Sequence, residues 1–362
     1  MLTSVTALSA LGLLAAAALP VQAQEPVQYV ALGDSFSAGT GTRASVDDCY
    51  RSPYGYPALL ADAHGLALDY QACSGARTAD VHRDQLGTLS ASTDLVTMTI
   101  GGNDLDFAGV ITQCALPGWL SNCQDRINNS LQLLHAEMPQ RYDALFTEIG
   151  TRAPSAEVVI GNYPHLFSGR DCNLATFFTA AEMRALNDAT DQLSDVIEDR
   201  TQSADFRYVD SRPDFQGHAV CDSTEWVNGI SWPIQESYHP NRDGNVGYAD
   251  VFWAGTTSAV PGRAATGGPG LESTRLDEVR ADDGAATGSR AQQVRAQADA
   301  VLAMDLTAPT NLRRAQSEGV PTAELERLVA DLHSKDTATV ARALTGLAAL
   351  DQEHAERVVA GR

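Results

Sequence analysis

Short apolar runs that stop abruptly at polar, glycine-bearing turns recur along the first part of the chain. Residues 27–32 run apolar as a buried strand does, and Gly33-Asp34-Ser35 ends the run with two turn formers and a hydroxyl. Residues 66–70, 95–100, 158–161 and 206–209 predict four further strands. Helical spacing fills residues 57–64, 127–149 and 179–202, the last through Met183, Leu186, Leu193, Val196 and Ile197, and a final helix runs to about Trp253. Strands alternating with helices imply an α/β protein, a three-layer α/β/α sandwich around a five-stranded parallel sheet. In such a sheet the strand-to-helix turns meet at one edge, where helix N-termini present backbone N–H groups.

The pattern then changes. Residues 260–290 are rich in Gly, Ala, Pro, Thr and Asp, as a linker is, and no aromatic residue or cysteine follows Ala264. Two later stretches are amphipathic, one through Leu325, Leu328, Val329 and Leu332 and one through Val340, Leu344 and Leu347. These stripes are narrow and without aromatic residues, too little to stand alone, so the tail is expected to be weakly docked or partly disordered. At the other end, residues 5–19 are nearly all small or apolar and precede Pro20-Val21-Gln22-Ala23, the pattern of a cleaved signal peptide. The expected organisation is therefore a signal peptide at 1–23, a catalytic domain at 24–260, a flexible linker at 261–290 and a helical extension at 291–362.

Six cysteines, an even and dispersed set with no metal-binding spacing, point to disulfides and an oxidising compartment. A net charge of −21 argues against nucleic acid or an anionic bilayer as partner. No stable membrane span is expected once the signal peptide is removed, and the mature protein is read as a secreted monomer.

Ser35, at a strand's C-terminal end, is placed as a nucleophile is. Gly-Asp-Ser-Phe-Ser lacks the second glycine of the Gly-x-Ser-x-Gly elbow, because Ser37 stands there. Acyl transfer at Ser35 needs a base, a group to orient the base and donors for the oxyanion. Of eight histidines, His239 is set apart by Pro240, which stiffens its backbone just before a helix. Gly75 offers an unshielded N–H, and Asn103 two amide donors, both in turns that follow strands.

Gly33-Asp34-Ser35, Gly75, Gly101-Gly102-Asn103-Asp104 and His239-Pro240-Asn241 stand in the order of the four blocks of the SGNH hydrolases, also called GDSL lipases and esterases. Over about residues 27–255 the chain resembles this family, and most closely its secreted bacterial lipases. The resemblance implies the flavodoxin-like fold of the family, Ser35 as nucleophile, Ser35 N–H, Gly75 and Asn103 as the oxyanion hole, and His239 as base, with no metal or cofactor. It also implies the disulfides Cys49–Cys73, Cys114–Cys123 and Cys172–Cys221. Many members carry Asp three residues before the histidine, where this chain has Glu236; others use a backbone carbonyl two residues before it, here that of Ser237. The carbonyl is the preferred orienter.

The leading expectation is thus a secreted serine hydrolase of acyl or lipid esters. Leu116, Trp119, Phe177, Phe178 and Trp232 are candidates for an acyl groove or, equally, for core. Two alternatives are a cell-surface polysaccharide O-deacetylase and a flavodoxin-like phosphate-binding module with residues 33–42 as its phosphate loop. The latter is opposed by the absence of Gly-x-Gly-x-x-Gly and P-loop lysine patterns.

Overall fold

The computed structural model describes residues 25–257 and 290–360. The expected signal peptide at 1–23 and, apart from residue 290, the expected linker at 261–290 lie outside the described residues.

Strand β1 (Gln28–Gly33) is buried at every position but its first, which is why its sequence runs apolar and does not alternate with polar residues. With β2 (Ala67–Tyr70), β3 (Leu95–Thr99), β4 (Glu157–Gly161) and β5 (Arg207–Val209) it forms one sheet in the order β2-β1-β3-β4-β5. Every pairing is parallel, with Tyr29 opposite Leu95 and Thr99 opposite Gly161. This is the five-stranded α/β/α sandwich expected from the sequence. Strand order reverses direction at β1, so the switch point lies between β1 and β3, where crevices open in such sheets.

Helices α1 (Ser35–Ala38), α2 (Tyr56–His64), α3 (Thr78–Asp80), α4 (Phe107–Cys114), α5 (Cys123–Arg152), α6 (Ala180–Ser203) and α7 (Arg242–Gly255) complete the sandwich. α5 packs on α6, and α2 on α7. α6 begins in a capping box in which Thr179 and Glu182 satisfy each other's backbone N–H groups. α4 was not anticipated: its apolar residues Phe107, Val110, Ile111 and Cys114 keep i, i+3, i+4, i+7 spacing, but over too few residues to register. The three disulfides join the cysteines in sequence order, 49 to 73, 114 to 123 and 172 to 221. Among the described residues no helix is long and apolar enough to cross a membrane.

The tail is helical, as expected, but more firmly docked than expected. Among the described residues it forms four helices, α8 (Arg290–Ala303), α9 (Pro309–Ser317), α10 (Thr322–Asp331) and α11 (Thr337–Ala360). Leu325, Leu328, Leu332, Val340, Leu344 and Leu347 are buried in one cluster with Trp119, Leu120, Ala175 and Phe177 of the sandwich. The aromatic surface that the tail's own sequence lacks is supplied by two loops of the sandwich. Trp119, only 1% exposed, is among the residue types that bury the most area, and the tail is docked on it.

Candidate active site

The turn after β1 is built to hold one hydroxyl still. Gly33 has φ +121°, and a Cβ there would lie 2.3 Å from the Thr99 carbonyl, so only glycine fits. The Gln85 side chain accepts from Gly33 N–H at 2.8 Å and donates to its carbonyl at 2.9 Å. Asp34 then caps α1, accepting from Phe36 N–H. Its carboxylate also accepts from Thr99 Oγ1 at 2.9 Å and from the Tyr163 hydroxyl at 2.5 Å. Burial pushes the Asp34 carboxyl up to about 6 against these bonds. Ser37, where an elbow glycine would stand, is spoken for: its Oγ lies 2.8 Å from Thr99 Oγ1 and 3.0 Å from the Tyr56 hydroxyl.

Ser35 is thereby fixed at the end of β1, 6% exposed. His239 Nε2 lies 2.7 Å from its Oγ, and His239 Nδ1 lies 2.8 Å from the Ser237 carbonyl. A carbonyl can only accept, so Nδ1 carries the ring proton and Nε2 holds a lone pair toward Ser35. Desolvation pushes the imidazole down to about 4, opposed by the Ser237 carbonyl, so the ring is neutral at ordinary pH. The loop bearing it is held by Asn228, whose N–H donates to the His239 carbonyl and whose carbonyl accepts from Tyr238 N–H. Tyr238 takes φ +58° to make this turn. Asn241 then caps α7 through Gly244 N–H.

Glu236 does not meet the imidazole. Its carboxylate accepts from Gly41 N–H at 2.5 Å and from Arg43 N–H at 3.3 Å, tying the histidine loop to the segment after Ser35. At Gly41 a Cβ would lie 2.3 Å from the Pro240 carbonyl, so the close approach of these two segments needs glycine.

The two other residues expected to serve an oxyanion, Gly75 and Asn103, stand in neighbouring turns. Gly75, at φ +84°, has nothing within 4 Å of where a Cβ would stand, leaving open space over it. Asn103 Nδ2 donates to the Ala76 carbonyl at 3.0 Å, which binds the Asn103 turn to the Gly75 turn and leaves one amide hydrogen for another acceptor. Asp104, buried, reinforces the link by accepting from Thr78 N–H, Thr78 Oγ1 and Arg141.

From Ser35 a groove leads past Gly102, Asn103, Phe107, Tyr163 and Leu166. It continues into an apolar channel between α4, which supplies Val110 and Ile111, and α6, which supplies Leu186 and Leu193. None of the five residues named as groove candidates lines it. Trp119 and Phe177 are buried under the tail with Leu116 against them, Phe178 packs on Phe167 and Tyr238, and Trp232 is exposed. Gln85, Tyr163, Asn228 and the α4 residues went unnoticed in the sequence; the short helical spacing of α4 was the nearest thing to a signal among them. Among the described residues the one compact His/Cys/Asp/Glu cluster is Cys172, Cys221 and Glu225, whose sulfurs are bonded to each other and so offer no thiolate to a metal.

A family model described as GDSL-like lipase/acylhydrolase matches residues 31–246. The chain is 38% identical to a lipase of Streptomyces rimosus over 248 residues, which are 67% of this chain and 91% of that protein. It is 39% identical to lipase 1 of Streptomyces coelicolor over 253 residues, 66% of this chain and 93% of that one. Among solved structures, the extracellular lipase of S. rimosus is similar with a TM-score of 0.61 at 36% identity, covering 64% of this chain and 100% of that chain. The phospholipase A1 of Streptomyces albidoflavus gives a TM-score of 0.61 at 39% identity, with the same coverage.

Proposed function

Because the chain belongs to the GDSL-like lipase/acylhydrolase family and is a carboxylic ester hydrolase, we propose that Ser35 is its nucleophile, His239 its general base, and the Ser237 carbonyl the group that orients the base. In this reading Ser35 Oγ attacks the acyl carbonyl as its proton passes to His239 Nε2. The Ser237 carbonyl then stabilises the imidazolium through Nδ1–H. Negative charge on the carbonyl oxygen is received by Ser35 N–H, Gly75 N–H and the free amide hydrogen of Asn103. Collapse expels the alcohol, which takes the proton from Nε2. Water repeats the sequence on the acyl-enzyme and releases the acid, restoring Ser35.

The observation that carries the assignment is the continuous relay of 2.7 Å and 2.8 Å from Ser35 through His239 to the Ser237 carbonyl, at the mouth of an apolar groove. An apolar groove suits an acyl chain rather than a bare acetyl group, and relatives named lipase and phospholipase A1 support lipid esters as substrates. Three disulfides, the apolar stretch at residues 5–19 and likeness to an extracellular lipase support an exported enzyme with its catalytic unit at residues 24–260.

The test is labelling with a fluorophosphonate probe followed by peptide mapping. The label is expected on Ser35 and absent from Ser35→Ala. Turnover of p-nitrophenyl esters is expected to extend to medium and long acyl chains, and activity confined to acetate would instead indicate a deacetylase.

A further inference from the structure

The helical tail lies beyond the residues 31–246 shared with the family, and it rests on the outer side of the same segments that wall the acyl groove. α4 carries Val110 and Ile111 on the groove side. It runs directly into the loop 115–122, closed by the Cys114–Cys123 disulfide, whose Trp119 and Leu120 face the tail. The opposite wall repeats this arrangement. α6 carries Leu186, Ala189, Thr190 and Leu193 to the groove, and the segment entering α6 turns Ala175 and Phe177 to the tail while Phe178 faces the catalytic core. One body therefore backs both walls.

The contacts are specific as well as apolar. Gly118 N–H donates to the Asp351 carboxylate of α11 at 2.6 Å. The Trp119 and His354 rings meet edge-on, 5.9 Å apart at 82°. Arg314 of α9 donates to the Ser121 carbonyl at 3.4 Å. The Ser121 hydroxyl, with one proton to give, lies within donating distance of both the Gln113 carbonyl at the end of α4 (3.2 Å) and the Glu182 carboxylate in the first turn of α6 (3.3 Å). The loop held by the tail is thus the piece that joins one groove wall to the other.

We propose that helices α8–α11 are a positioning unit for the groove. By gripping the 115–122 loop through Asp351 and His354 they fix the separation of α4 and α6, and so set which acyl-chain lengths the enzyme accepts. This rests on the groove between α4 and α6 being the acyl site. Asp351 and His354 touch neither Ser35 nor the groove and act only through Gly118 and Trp119. A wall displaced by a fraction of an ångström leaves a short acyl group unaffected and misplaces a long one, because each methylene in an apolar pocket discriminates modestly but cumulatively.

The experiment uses the full chain and its Asp351→Ala/His354→Ala variant. Two quantities are measured: amide exchange at residues 118–120, and kcat/KM for p-nitrophenyl butyrate and decanoate. Faster exchange is expected, with a change of about fivefold or more in the decanoate-to-butyrate ratio, carried mainly by KM for decanoate, while kcat for butyrate stays within about twofold. Should the double variant fold poorly, Asp351→Ala alone carries the same expectation in smaller measure. Three results overturn the proposal: loosened amides with an unchanged ratio, amides unchanged in both variants, or equal loss on both esters. A wild-type enzyme that hydrolyses no ester of any length defeats the ester-hydrolase reading itself, which is a separate failure.

Discussion

His239 takes its orientation from its own chain: its Nδ1 lies 2.8 Å from the carbonyl of Ser237, two residues earlier. A backbone acceptor cannot be removed by changing a side chain. Glu236, the carboxylate nearest in sequence, is occupied with Gly41 and Arg43 N–H groups instead. Glu236→Gln is therefore expected to lower kcat/KM by less than about tenfold, whereas loss of an orienting acid costs about three to four decades. Steady-state kinetics of that single variant decides between the two. Glu236→Ala, which leaves two N–H groups without their acceptor, is expected to lower stability by about 1–3 kcal/mol, read from chemical denaturation.

Ser35→Ala and His239→Ala are each expected to lose on the order of 10⁴-fold in kcat while keeping the melting temperature. Asn103→Ala is expected to lose about 10²- to 10³-fold in kcat. Retention of more than about a tenth of wild-type activity by either of the first two would remove that residue from the mechanism.

The pH profile follows from the imidazole. His239 works as a base only when neutral, and burial holds it at about 4. Protonation below that value occupies Nε2 and removes the acceptor for the Ser35 proton. On lowering pH, kcat/KM is expected to hold through the range where a free histidine would titrate. Below about pH 4 it then falls about tenfold per unit. An inflection near 6 would report Asp34, whose carboxyl sits at about 6, and Asp34→Asn would abolish it.

The disulfides tie loops to the site. Cys49–Cys73 closes a separation of 24 residues, and its second cysteine lies two positions before Gly75. Chain entropy gives about 3 kcal/mol for a loop of that size, as an upper guide. Cys49→Ser/Cys73→Ser is expected to lower the melting temperature by several degrees, measured by calorimetry, and to reduce kcat more than a comparably destabilising change elsewhere.

The strands were legible because each is an apolar run ended by glycine or a polar turn, and the candidate site residues because the four blocks keep their order. α4 and the groove were not. A groove is made by side chains from α4, α5 and α6 that only tertiary packing brings together, and its apolar residues read as ordinary core. Trp119 and Phe177 misled for a related reason: large, apolar and in loops, they resembled substrate contacts when their partner was the tail. The tail's docking was underestimated because its own stripes were weighed alone, without the aromatic side chains that another segment contributes.

β1 outlasts its neighbour. β2 ends at Tyr70, opposite Ala31, so on that side Gly33 faces no strand residue, yet both of its backbone groups are satisfied. Gln85 does much of the missing strand's work: its amide supplies the acceptor for Gly33 N–H and one donor to the Gly33 carbonyl, which also accepts from Cys73 N–H just beyond β2. The last rung of the sheet beneath Ser35 is thus shared between a side chain and the Cys73 peptide, and the side chain's part in it is asymmetric. A glutamate of the same shape would turn two acceptor oxygens toward Gly33, keeping the bond from its N–H and setting lone pair against lone pair at its carbonyl. The turn that carries Ser35 is therefore braced in part by a nitrogen atom fifty-two positions from Gly33 along the chain.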